Sequence, residues 1–499
     1  MKIHYLFNLI IAIFNIFAIK KFLHIYQLKN YNNKRYFKFF KNKKSLFFFL
    51  CLIVFIFEIV FKNIYLYIIL NVILFIIYCI FLKNLIKSSK TPLIFTGKLS
   101  RIYIFSILII LLLSFYKLSF ALIVSSCIFI PTFANNINIY DKLKNHHFIQ
   151  LAKKKLKNSY TQIIAITGSN GKTSVKNILQ KILETKFKTQ STPTSYNTPI
   201  GIAKFINNNL KKDTEFLILE YGARYKNDIK KLCKLYGADY GIITNLSNQH
   251  LETFKNIKNI YKAKNQLPLF LQNKPCVFNI DNLHTKKMFD EKSQNKLSVS
   301  IFQPADVYAQ DITISNNKTM FKLFIDNKPF KLETSLLGRH NILNICLAVA
   351  IANSLRVEKQ NIISAVKNLQ PIKHRLELIK AHINIIDDSY NCSPSSAKEA
   401  LWVLKNFKGK KMIATPGIIE CGKEKYNINF NLGKQIAFCD FCVIIGEENK
   451  HAIADGIKAS NLSPTILFSK TLEEAKAYFS KLNPNDTLLL LNDLPDDYK

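Results

Sequence analysis

The residues of this 499-residue chain best placed to do chemistry stand in one string, Thr167-Gly168-Ser169-Asn170-Gly171-Lys172-Thr173-Ser174. Glycines at 168 and 171 let the backbone aim its N–H groups at one point, and a helix starting there adds partial positive charge. Lys172 is then expected to reach the outer phosphates of a nucleotide, and the Thr173 hydroxyl to take Mg²⁺. The common pattern G-x-x-x-x-G-K-[ST] begins with a glycine where this chain has Ile166, so the loop is a shortened form. A surface turn that happens to contain Gly-Lys-Thr would read the same. The flanking sequence decides between them.

That flanking sequence supplies the elements a phosphate cradle needs. Residues 163–166 read as a buried strand, and Val175, Ile178, Leu179 and Ile182 recur at helical spacing. Further apolar runs at 216–219 and 240–245 alternate with helical stretches. This pattern predicts a parallel sheet with ligands at the carboxyl ends of its strands. Glu220 and His250 fall at or just beyond two such ends. An acid and a neutral imidazole there can hold a divalent metal, although Mg²⁺ favours oxygen. From about residue 371 a third segment repeats the α/β pattern, with strands expected at 383–386, 411–414, 441–445, 465–468 and 487–491. It contains no G-x-G-x-x-G, so no dinucleotide site is expected.

The first 140 residues are a different polymer. Their only acid is Glu58, and apolar runs occupy 4–19, 46–61, 64–82, 102–116 and 118–134. About five transmembrane helices are predicted, several of them short against the roughly 20 residues a span needs. The basic stretches at 20–44, 83–101 and 142–155 place all three flanking loops in the cytoplasm by the positive-inside rule, with everything after residue 134 on that side. No small-residue cleavage site follows the first run, so a removed signal peptide is not expected. The net charge of +37 fits contact with anionic membrane lipid and calls for no nucleic-acid partner. The ten cysteines form no disulfide framework; Cys439-x-x-Cys442 stands without a second Cys/His pair nearby in sequence and reads as two core thiols.

Taken together, Thr167 to Thr173, Glu220 followed by Gly222, Asn245 with His250, and Ala263-Lys264 resemble the ATP-dependent Mur ligases. So does Leu337-Gly-Arg-His-Asn-Ile-Leu-Asn344, similar to that family's G-x-H-N-x-x-N element. Asp387-Asp-Ser-Tyr-Asn-Cys-Ser-Pro-Ser-Ser396 is similar to a signature of the branch that handles D-alanyl-D-alanine. The resemblance implies that residues 168–174 bind ATP phosphates. Thr173, Glu220, His250 and a CO₂-carbamylated Lys264 would serve two Mg²⁺ ions. Asn341 and Asn344 would lie toward the adenine end, while Arg375, Asp387, Tyr390 and Asn391 would meet the nucleotide across a cleft between domains. Lys172, His250, Lys264 and Arg375 would be the catalytic set.

The implied activity is ATP-dependent amide ligation in peptidoglycan precursor synthesis, with UDP-N-acetylmuramoyl-tripeptide and D-alanyl-D-alanine as partners. The expected architecture is multi-domain. A membrane segment (1–140) takes the place of the family's UDP-gripping domain, followed by a P-loop ATPase-like α/β domain (141–370) and a Rossmann-like α/β domain (371–499), with a monomeric catalytic region. Two rival readings keep parts of this picture: the same fold with another peptide substrate, or a membrane scaffold with a nucleotide-binding module. The Asp387 to Ser396 string argues against the first, and the joint presence of Lys172, Thr173, Glu220, His250 and Lys264 against the second.

Overall fold

The computed structural model describes residues 2–29, 31–43, 92–114, 119–193, 196–247, 251–315, 318–390, 392–419 and 424–492, with scattered positions between 69 and 83. It divides into two compact units, one built from residues up to His147 and one of Phe148–Leu494. The change of unit thus comes seven residues after the change in composition at 140.

The first unit contains α1 (Lys2–Leu28), α2 (Asn33–Lys43), α3 (Gly97–Ser114) and most of α4 (Ser119–Lys157). Ile19, Phe22, Leu23 and Tyr26 of α1 cluster with Leu99 and Ile102 of α3 and with Ile130 and Ala134 of α4. The Tyr26 ring meets Tyr31 and Tyr36 edge-on, and its hydroxyl donates to Asn33 Oδ1 at 2.8 Å. Among the described residues no helix is long and apolar enough to cross a membrane. The five predicted spans are therefore not found there. Lys20 and Lys21 follow the first apolar run within α1, Lys98 and Arg101 precede the run in α3, and α4 continues past Pro131 into Asn135, Asn136 and a basic stretch. The run 46–61 lies outside the described residues, as does most of 64–82.

The second unit is built on two sheets. The larger has nine strands in the order β2-β3-β1-β4-β5-β6-β7-β8-β9. They are β1 (Gln162–Thr167), β2 (Thr189–Ser191), β3 (Phe216–Glu220), β4 (Tyr240–Ile243), β5 (Cys276–Asn279), β6 (Lys296–Ser300), β7 (Val307–Ser315), β8 (Lys318–Ile325) and β9 (Lys328–Thr334). The strands from β2 to β7 pair in parallel, and β8 and β9 close the sheet antiparallel. The chain leaves β1 toward β2 and β3, then crosses back to β4. The switch of direction falls beside β1, where open α/β sheets bind their ligands.

Every residue of β1 after Gln162 is buried, as all of β3 is, which is why both read as apolar runs and not as alternating patterns. Helix α5 (Lys172–Leu183) lays Val175, Ile178, Leu179, Ile182 and Leu183 into a core shared with Ile164 and Ile166. Each such side chain contributes about 1.5–3 kcal/mol by burial. The loop at the head of α5 is thus held by packing on both flanks. Helix α6 (Pro199–Asn209) starts at Thr198, whose side chain accepts from Gly201 N, and α7 (Ile257–Lys264) ends on the candidate lysine. Helix α8 (Arg339–Ser354) is apolar on almost every side and lies in the interior.

The smaller sheet has the order β10-β11-β15-β12-β13-β14, from β10 (Glu377–Lys380), β11 (Asn384–Asp388), β12 (Lys411–Thr415), β13 (Phe441–Ile445), β14 (Thr465–Ser469) and β15 (Thr487–Leu491). All pairs but β10 with β11 are parallel. The five strands expected from the sequence lie within a residue of these bounds at each end, except that β11 runs two residues further. The edge hairpin strand β10 has no apolar run to announce it. Helix α9 (Pro394–Lys405) follows β11, started by a capping box between Ser393 and Ser396 with Pro394 in the first turn. Cys439 and Cys442 are buried, free thiols in the core beside β13.

Candidate active site

Parallel register brings the phosphate loop, Glu220 and the exit of β4 to one edge of the large sheet. Glu220 pairs across from Ile166, and Ile243 from Thr167, so the exits of β1, β3 and β4 are adjacent. Between β1 and α5 the glycines carry the geometry. Gly168 has φ +150° and a Cβ there would stand 1.9 Å from Thr244 Oγ1; Gly171 has φ +83° and its Cβ would stand 2.8 Å from Asn344 Oδ1. Gly168→Ala is expected to weaken nucleotide binding about tenfold or more, since strain and overlap of this kind cost about 1–3 kcal/mol. Titration with a fluorescent nucleotide checks this.

The loop amides divide into two sets. Those of Ser169 and Asn170, expected to face a phosphate, donate instead to Asn245 O and Asn245 Oδ1, both at 2.8 Å. Thr244 Oγ1 donates back to Asn170 O at 2.6 Å. Asn245 therefore braces the loop from the exit of β4. The amides at the start of α5 remain as anion donors, because the N-cap is Gly171 and brings no side-chain acceptor to them. Lys172 lies across its own loop, donating to Gly168 O at 2.8 Å and Ser169 O at 2.7 Å. Burial lowers its pKa, and the charge of Glu220 works the other way. Thr173 Oγ1 donates to Glu220 Oε2 at 3.2 Å.

Lys264, buried at the end of α7, is pulled down to about 7 by burial and by the charge of Lys172, with Asp228 opposing. A large fraction of it is neutral amine near pH 7, the form that reacts with CO₂. The Thr173 hydroxyl and the Glu220 carboxylate are oxygen donors of the kind Mg²⁺ takes, and Lys264 lies within electrostatic range of the neighbouring Lys172. His250 lies outside the described residues.

The C-terminal lobe presents a second group. Asp387 Oδ2 lies 2.8 Å from His374 Nδ1, and Asp387 Oδ1 accepts from the Ser389 amide and hydroxyl. The Arg375 guanidinium sits 4.5 Å from the centre of the exposed Tyr390 ring. Asn391 lies outside the described residues. Asp388 is buried and accepts from Leu376 N at 3.2 Å. Burial, with the neighbouring Asp387 charge, pushes its pKa up to about 7 against the pull of that amide and of Arg375. Between the ordinary carboxylate value and 7 the folded chain therefore holds more protons than the unfolded one, and this group's contribution to stability falls as pH rises through that window. Asp388→Asn is expected to flatten the dependence of Tm on pH from 4 to 7, read by thermal unfolding.

Helix α8 and the turn before it touch both lobes. Asn344 abuts Gly171 of the phosphate loop, so it stands at the phosphate end of the site, whereas the resemblance places it toward adenine. Asn341 instead donates to Leu337 O at 2.8 Å. One turn earlier Leu337 packs in the core of the C-terminal lobe, and Arg339 forms a two-point ion pair with Glu399 of α9, at 2.7 and 3.3 Å, beneath Trp402. Two features escaped the sequence reading. Asn282 donates to Leu246 O at 2.9 Å, supporting the exit of β4. Lys176 is buried against Glu220. Its signal was there, since Lys176 shares a helix face with the buried Leu179 and Leu183.

A shortened phosphate loop on a parallel sheet, joined through one inner helix to a second α/β lobe, is the arrangement of the Mur ligases. Residues 166–352 match the Mur ligase middle domain, and residues 374–492 the Mur ligase glutamate ligase domain. The chain carries both of these Mur ligase domains. It is 34% identical over 265 residues to the UDP-N-acetylmuramoyl-tripeptide–D-alanyl-D-alanine ligase of Buchnera aphidicola subsp. Baizongia pistaciae, covering 52% of this chain and 57% of that protein. With the Bacillus subtilis ligase of the same name it shares 29% over 287 residues, 55% of this chain and 60% of the relative. The chain thus spans under two thirds of the length of these relatives. A crystal structure of MurF from Acinetobacter baumannii superposes with a TM-score of 0.62 at 26% identity, covering 70% of this chain and 77% of that one. The MurF ligase of Thermotoga maritima in complex with ADP gives 0.61 at 24% identity, over 70% and 80%, a likeness of fold.

Proposed function

We propose that this protein is an ATP-dependent ligase that joins D-alanyl-D-alanine to UDP-N-acetylmuramoyl-tripeptide in peptidoglycan precursor synthesis. The observation that carries it is the meeting, at one sheet edge, of open α5 amides, Lys172 and the Thr173–Glu220 pair, with a near-neutral buried Lys264 in electrostatic range of Lys172. The choice of substrates follows the relatives named above. The tripeptide's terminal carboxylate attacks the γ-phosphorus of ATP, forming an acyl phosphate and releasing ADP. The amine of D-alanyl-D-alanine attacks the acyl carbon, the C–N bond forms, the C–O bond to phosphate breaks, and the amine's proton passes to solvent.

In this reading the chain's contribution is positioning and charge neutralisation. The amides at the start of α5 and the Lys172 ammonium, within the loop of residues 168–174, cradle the phosphates. Asn341, Asn344, Arg375, Asp387, Tyr390 and Asn391 orient the nucleotide, and Arg375 also offsets phosphoryl charge. Thr173, Glu220, His250 and carbamylated Lys264 would hold two Mg²⁺ ions, which supply further neutralisation of the phosphoryl oxygens. Closure of the C-terminal lobe would exclude water from the acyl phosphate.

We propose further that the N-terminal unit attaches the enzyme to the inner (cytoplasmic) membrane, with the ligase domains on the cytoplasmic side. The single acid among the first 140 residues, the basic stretches and the exposed Phe17, Ile104, Leu108 and Leu112 support this. Phosphate release by the full-length chain, with UDP-N-acetylmuramoyl-tripeptide and with or without D-alanyl-D-alanine, tests the activity. Release that requires both substrates supports the ligase; release indifferent to the dipeptide overturns it. Recovery of the chain in the soluble fraction after gentle lysis would count against the membrane placement.

A further inference from the structure

Among the buried charged groups of the ligase domains, Lys176 has no part in the chemistry described above. Its side chain is 1% exposed and that of Glu220 is 3% exposed, with Nζ 2.8 Å from Glu220 Oε1. Nζ meets Oε1 as an ion pair and donates its hydrogen bond to Thr192 O at 2.6 Å. Three segments meet at this ammonium: α5, the exit of β3, and the stretch just after β2.

The two oxygens of Glu220 therefore have separate neighbours. Oε1 faces Lys176, and Oε2 faces the Thr173 hydroxyl. Thr173 and Lys176 are three residues apart on α5, so both approach the carboxylate from one helix face. We propose that Lys176 is a positioning residue for the metal site: it anchors Oε1 so that Oε2 and Thr173 Oγ1 present one fixed pair of oxygens to a divalent cation. This rests on the reading of Thr173 and Glu220 as metal ligands.

The physical argument is one of orientation and charge. A carboxylate free to swing offers a cation several geometries, of which Mg²⁺ accepts few because it demands near-octahedral coordination. Fixing one oxygen removes that freedom before the ion arrives. The ammonium also compensates a carboxylate that would otherwise stand buried and uncompensated. Outer partners of metal ligands typically alter metal affinity by roughly 10–100-fold, which sets the size of the effect.

The test uses the full-length protein and the variants Lys176→Met and Lys176→Gln. ADP affinity is titrated in EDTA and then at increasing Mg²⁺, and thermal unfolding is recorded in parallel. The proposal expects the Mg²⁺ concentration for half-maximal effect to rise about tenfold or more, with metal-free ADP affinity changed less than about twofold, since Lys176 touches no nucleotide-binding group. A wild-type Mg²⁺ requirement in whichever variant folds overturns it, whatever happens to Tm. If neither variant folds, Lys176 is a core-stability residue and the proposal also falls. Glu220→Gln separates the two claims: should it too leave the Mg²⁺ requirement unchanged, the assignment of Glu220 to the metal has failed.

Discussion

Lys172→Ala should lower turnover roughly 10³-fold or more while leaving the fold and its Tm nearly unchanged. The expected size is that of removing a preorganised cation from charge developing on a phosphoryl group. Stability is spared because the lysine's hydrogen bonds go to Gly168 O and Ser169 O, in a loop already braced by Asn245 and anchored by the buried strand and helix on either side. Loss of the ammonium should fall mainly on the chemical step, since the amides at the start of α5 still bind phosphate. Nucleotide affinity should accordingly drop far less than the rate. Initial-rate assays beside ADP titrations give both quantities, and near-normal turnover would refute the assignment of the loop.

Lys264→Met should cost about 10²–10³ in turnover, the scale of one electrostatic contributor to the transition state. Its pH behaviour is more diagnostic. With Lys264 pulled down to about 7 in the fold and near 10.4 in the unfolded chain, the unfolded chain binds more protons between those values. This group's contribution to stability therefore rises as pH climbs from 7 toward 10, and the full cost of burying its charge is present below 7. In CO₂-free buffer the Met variant should exceed wild type in Tm most at pH 6, with the gap narrowing toward pH 9. Turnover of the wild type should fall as pH drops through 7 and should depend on dissolved CO₂, because only the neutral amine forms a carbamate. A wild-type rate in Lys264→Met, or indifference to CO₂, would remove Lys264 from the site.

Asn245 and Asn344 show where reading along the chain stops short. Asn245 could be placed after a strand, but nothing local says that its side chain would take an amide of the phosphate loop, because that bond depends on β4 lying beside β1. Asn344 belongs to a recognisable string, yet its contact with Gly171 follows from the path of α8 through the core. Lys176 stands on the apolar face of α5 in the sequence, but only β3 brings Glu220 against it. The N-terminal third gives the opposite lesson. Long apolar runs suggested spans, while the described helices carry lysine, arginine and asparagine at the places where those runs end.

Local chemistry was enough to determine the phosphate loop, the strands that flank it, and the order of the two α/β domains. Glycine's freedom at positive φ, apolar runs and helical spacing act over a few residues and leave their mark in the string itself. Register between strands, the pairing of Lys176 with Glu220 and the depressed basicity of Lys264 were decided only by the tertiary structure. Each depends on groups far apart in the chain being desolvated together, and burial of a charge is a property of the whole core.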